Sequence, residues 1–170
     1  MPSIVAKIPL MTDQNLLNLF GNAIRRLAKE PDDMARHVIA GVAAEWKNRR
    51  SAACFDLGTS SLPHCGVLAT LGFHVGNVNG ERTPVRRLIL THVIESELPF
   101  VCSLAYMDEW GAPNTSKRYW KLVRFLRGQI ANPAHRDMEK AMIEWREDLA
   151  WVQHHYAHLA IDGEQLLSCA

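Results

Sequence analysis

The densest mixture of aromatic and basic side chains lies between Tyr106 and Pro133, in "YMDEWGAPNTSKRYWKLVRFLRGQIANP". On a helix turning by about 100° per residue, Lys117, Lys121, Arg124 and Arg127 share one arc. Tyr119, Leu122, Val123, Leu126 and Ile130 share the opposite one, which faces a core. Trp120 sits at the edge of the basic arc, and Arg118 belongs to the same basic run, with Phe125 near it. A row of cations beside an aromatic ring neutralises phosphates and stacks on a base or a guanidinium. The same pattern also suits a solvated helix face. Arg86 and Arg87 join the patch if their helix packs alongside. The partner implied is acidic, either a nucleic acid or a protein–nucleic acid complex.

Other chemistry is less well supported by the residues. His154 and His158 are spaced i, i+4, which aims two imidazoles at one metal if both ride a single helix. A site needs a third ligand, for which Glu147, Asp162 and Cys169 are the nearby candidates, and the stretch "HHYAH" lacks the glutamate of the HExxH pattern. Asp108 and Glu109, with Glu95 and Glu97 upstream, are the densest carboxylates near the middle and raise the question of Mg²⁺-assisted hydrolysis. Adjacent carboxylates on a helix diverge, which is poor ligand geometry. His64 next to Cys65 is no evidence for a nucleophile pair, because such pairs form in space between distant residues. "GFHVGNVNG" lacks the Lys-Ser/Thr of a phosphate loop and reads as a turn. No catalytic residue, metal or cofactor is assigned on these grounds.

The elements that must position these residues are mostly helical. Thr12 and Asp13 cap a helix whose Leu16, Leu17, Phe20, Ile24 and Leu27 recur at helical spacing. Pro31 ends it and starts a second, with an apolar stripe of Met34, Val38, Val42 and Trp46 and a basic end at Lys47, Arg49 and Arg50. The short connection makes residues 1–50 a helical hairpin. Residues 51–64 are small and turn-forming and read as a linker. A short helix ends at Gly72, Phe73 to Val78 run extended, and Asn79-Gly80 turn. Thr83 and Pro84 open a helix that stops before Pro99. The apolar run from Phe100 to Met107 fits strand or helix, so at most one small β-hairpin is expected. Thr115 or Ser116 caps the basic-aromatic helix. Met138, Met142, Trp145, Leu149, Val152 and Tyr156 then form a seam of alternating fours and threes for antiparallel packing. The expected fold is mainly α, with a C-terminal antiparallel pair inside residues 65–170.

Bulk properties limit the function classes. The chain has 170 residues, 48% hydrophobic and 22% charged, with a net charge of +1. A general polyelectrolyte binder carries a large basic excess, so any nucleic-acid contact must come from a local patch. Cys54, Cys65, Cys102 and Cys169 show no short repeated spacing, as expected for reduced thiols in a cytoplasmic protein. No apolar run suits a signal peptide or a membrane span.

The block "LGFHVG…RRLILTHVIESELPF…YMDEWGAPNTSKRYWKLVRFLRGQIANP…AMIEWREDLAWVQHHY" resembles a module of uncharacterised bacterial proteins from mobile-element or defence neighbourhoods. The resemblance implies a bacterial or phage setting and a role in nucleic-acid transactions or in host–element conflict. The function expected is a non-enzymatic binding protein, an inhibitor or accessory subunit of a defence system. A DNA-binding regulator is the first alternative and a metal-dependent nuclease or hydrolase the second. A regulator needs a recognition helix and a dimer; the sequence does not specify an oligomeric state.

Overall fold

A computed structural model of the chain describes residues 4–56 and 65–160. These residues are mainly helical and contain no strand. In chain order the helices are α1 (Ile4–Lys7), α2 (Asp13–Leu27), α3 (Asp33–Asp56), α4 (Val67–Thr70), α5 (Thr83–Glu95), α6 (Leu104–Trp110), α7 (Ser116–Ala131) and α8 (Glu139–His155). No helix among the described residues is long and apolar enough to cross a membrane. The chain divides into two compact units, Met1–Phe73 with Ser96–Met107, and His74–Glu95 with Asp108–Ala170.

In the first unit α2 and α3 pack on each other. The Thr12 hydroxyl accepts the Asn15 N–H and so caps α2. Leu16, Phe20 and Ile24 are buried along one stripe, and the Phe20 ring meets Trp46 of α3 at 5.3 Å. Arg49, near the far end of α3, donates to Asp13 and to the Met11 carbonyl, each at 2.5 Å, and to Glu45 at 2.8 Å. At the other end Asp32 caps α3 through the Ala35 N–H and pairs with Arg26 at 2.6 Å. These two clamps set the start of one helix beside the end of the other. Two expectations need correction here. Met34 is 53% exposed, and Ala35 takes its place in the buried line with Val38, Val42 and Trp46. The helix also runs on through Asp56, into the stretch expected to be linker. Ala52 and Ala53 are strong helix formers, so a composition that looked like a loop continues the helix. The rest of that stretch, 57–64, lies outside the described residues.

In the second unit α5 is the central rod. Val85, Arg86, Ile89, Leu90, His92, Val93 and Ile94 are all buried, and both α7 and α8 pack on it. The residues before it do not extend as a strand. The Glu81 N–H bonds back to the His74 carbonyl at 3.0 Å and closes a loop over 74–81. Gly76, at φ +89°, and Gly80 make the closure possible, because a Cβ on Gly80 would lie 2.1 Å from the Gly76 carbonyl oxygen.

Helix α8 is rotated from its expected seam. Trp145, Val152 and Tyr156 are buried as the spacing predicts, together with Ala141 and Asp148. Met142 and Leu149 are half-buried, and Met138 is 46% exposed. The cause is that α8 packs on α5 as well as α7, so its buried arc is set by two neighbours.

Candidate interaction surface

Helix α7 carries the basic stripe. Thr115 accepts the Arg118 N–H and starts it, and Tyr119, Leu122, Val123 and Leu126 bury one arc. Lys117, Arg124 and Arg127 stand exposed on the other, and none of the three makes an ion pair among the described residues. Trp120 is half-buried at the edge, with its ring edge-on to Tyr119 at 5.1 Å.

One member of the stripe is neutralised from α6. Lys121 is half-buried and forms an ion pair with Glu109. The hydrogen bond and charge of Lys121, with lesser pulls from Arg124 and Lys117, hold the Glu109 carboxyl below its ordinary range. The stripe therefore surrounds one carboxylate and leaves three cations at the surface.

Two expected contact residues are instead structural. Arg118 is fully buried. Its guanidinium donates to the carbonyls of Val93 at 2.7 Å, Trp110 at 3.0 Å and Gly111 at 2.5 Å. Those carbonyls lie at the C-terminal ends of α5 and α6, where helices leave acceptors unmet and carry partial negative charge. Arg118 thus joins two helix ends to α7. It shares a line with Leu122 and Leu126 at four-residue spacing, a signal that marks it as inward.

Arg86 is also fully buried. It donates to Asp148 of α8 at 2.7 Å and to the Glu81 carbonyl at 2.8 Å, and lies 3.2 Å from Glu144. Burial pushes the Asp148 carboxyl above its ordinary value, against the pull of Arg86. The sequence reading missed Asp148, although an acid within the apolar line of Ala141, Trp145 and Val152 marks an internal ion pair.

Arg87 is half-buried, and its guanidinium lies 5.6 Å from the centre of the Trp151 ring. Trp151 in turn stacks on His155, 5.0 Å away and 13° from parallel. Arg87 is thus held against α8 in a cation–π layer and does not extend the α7 stripe.

The histidines do not keep the spacing that suggested a metal. Helix α8 ends at His155, and His158 lies in a separate 3₁₀ turn, Ala157–Leu159. The i, i+4 relation of His154 and His158 is therefore not that of one helix. No group of three or more His, Cys, Asp or Glu side chains suited to a metal occurs among the described residues. The carboxylates Glu139, Glu144 and Glu147 of α8 make no ion pair with Lys117, Arg124 or Arg127 among the described residues. Glu144 accepts the Gly76 N–H at 2.6 Å and lies beside Arg86, and Glu139 and Glu147 border a separate cleft. No family model matches the chain, and no curated protein or solved structure is significantly similar to it.

Proposed function

We propose that the chain is a binding protein without catalysis of its own, which engages an acidic partner through the exposed face of α7. The contact residues are Lys117, Arg124 and Arg127, with Trp120 beside them and Lys121 exchanging its bond between Glu109 and the partner. The observation that carries the reading is that three exposed cations on one arc make no ion pair among the described residues while neighbouring arginines are fully engaged inside. Glutamate or glutamine would serve helix formation equally well at those positions. The reading takes the arrangement as an N-terminal helical hairpin and a C-terminal antiparallel helix pair that holds this face rigid. The partner is a protein–nucleic acid complex in the bacterial or phage cytoplasm, and the chain acts on it as an inhibitor or accessory subunit.

Tagged protein from a bacterial lysate, wild type and Lys117→Glu/Arg124→Glu/Arg127→Glu, supplies the test. Wild type should recover a multi-subunit complex, and the triple reversal should lose it with little change in Tm, because exposed charges contribute little to stability. Equal recovery by both would overturn the proposal. A salt-sensitive gel shift on naked DNA, lost in the same variant, would move the assignment to a DNA-binding regulator.

A further inference from the structure

We propose that the cleft between the 74–81 loop and the first half of α8 docks a helical segment of a partner protein, apolar on one face and flanked by lysine or arginine. This site involves none of the α7 contact residues. Its lining is unusual for a surface. Val78 is 81% exposed, Ile143 47% and Met138 46%, and all three line one cleft of about 720 Å³. Single exposed apolar residues are ordinary, but a gathered set in a hollow marks an interaction site.

The walls are prepared for contact. The loop is closed on itself by the Glu81–His74 bond and pinned to α8 by the Gly76 N–H on Glu144. Val78 is therefore held out to solvent by a braced loop. On the opposite wall, Met138 is an unbranched side chain that adapts to a range of apolar partners.

Charge selects the occupant. Among the described residues, Asp137, Glu139, Glu144 and Glu147 line the cleft against one cation, Lys140. Glu144 is committed to the loop and to Arg86, whereas Asp137, Glu139 and Glu147 are exposed. Phosphates would be repelled from such a rim, and a cationic flank would be attracted. A second hollow of about 450 Å³ lies around the side of α8, toward Ile130 and Ala131 at the end of α7; it shares Glu139 and Ile143 and adds Arg136 and Arg146. The surface is thus acidic toward the loop and more basic on the side of α8 toward the end of α7, which orients an occupant carrying its cations on the loop side. An amphipathic helix lying along α8 supplies the apolar stripe and charged flank that fit.

The test uses two synthetic helical peptides of about 18 residues, long enough to hold a helix. Both carry the same leucine stripe, one flanked by lysine and the other by glutamate. NMR titration of the full chain should show the lysine peptide shifting amides in 75–79 and 137–147. The glutamate peptide should bind about tenfold more weakly or worse, a difference of about 1.4 kcal/mol. Ile143→Glu and, separately, Val78→Asp should abolish the shifts while leaving Tm nearly unchanged, since both side chains are exposed. Equal binding of both peptides, shifts confined to other residues, or no shifts would each overturn the proposal. So would concentration-dependent self-association by sedimentation that Ile143→Glu removes, because the occupant would then be a second copy of this chain.

Discussion

Arginines of one chemical type take three roles in this chain, and their neighbours decide which. Arg118 and Arg86 lie inside, Arg87 stacks on an indole, and Arg124 and Arg127 face solvent. The inward pair holds helix ends and helix faces together. Removing Arg118 leaves buried carbonyls without their donor, at about 1–3 kcal/mol each. Arg118→Ala should therefore lower unfolding stability by several kcal/mol in chemical denaturation, far more than Arg124→Ala. Arg118→Lys should recover only part of the loss, because a point-like ammonium does not reproduce the guanidinium fork. Unchanged stability in Arg118→Ala would show that those carbonyls find other donors. The Lys121–Glu109 pair belongs to the same scale. Lys121→Ala should raise the Glu109 pKa toward the ordinary glutamate value, and a carboxyl-carbon NMR titration checks it; a static Glu109 pKa would place the cause elsewhere.

At the scale of elements, each helix in the second unit is positioned by more than one neighbour. Helix α7 buries Leu122, Val123 and Leu126 completely, as its spacing predicts. Helix α8 divides its apolar surface, leaving Leu149 half-buried and Ile143 and the N-cap Met138 nearly half exposed. Leu126→Ala should cost about 2–5 kcal/mol, the range for truncating a closely packed core leucine. Leu149→Ala should cost distinctly less, since part of its surface is already hydrated in the folded chain. Thermal or urea unfolding of the two variants compares them directly. An equal loss in both would mean that the α8 seam packs as the heptad spacing predicted after all.

For the whole molecule, a net charge of +1 conceals segregated patches, a basic α7 face and an acidic cleft on the second unit. The first unit carries its own pH dependence. The Asp32 carboxyl is held below its ordinary range, chiefly by the Ala35 N–H and also by Arg26. Its folded value is lower than its unfolded one, so its stabilisation is present above the ordinary carboxylate range and is lost as pH falls through the depressed value. Asp32→Ala should lower Tm at neutral pH, and the difference from wild type should shrink on acidification through that window. A gap that stays constant with pH would assign the effect to helix propensity and not to the charged cap. Asp148, in the second unit, works in the opposite sense, because its raised value favours the folded state at low pH.

Local rules account for what the sequence determined. Helical spacing and capping residues located α2 and α7 and narrowed each cap to two neighbouring residues, of which the structure uses Thr12 and Thr115, because a first turn depends on side chains a few residues away. Most of the buried arc of α7 followed from its periodicity, as did the exposure of Lys117, Arg124 and Arg127, but Ile130 is only half-buried and Arg118 lies inside. Tertiary structure decided the rest. Whether an arginine is a contact residue or an internal brace depends on which carbonyls or carboxylates lie within reach, and for Arg118 and Arg86 those partners come from elsewhere in the chain. The rotation of α8 depended on α5 packing against it. The cleft at Val78, Met138 and Ile143 exists because a loop closed by two glycines is pinned to a helix more than 60 residues later, at Glu144. Sequence periodicity measures one helix at a time, whereas burial is set jointly by every surface that helix meets.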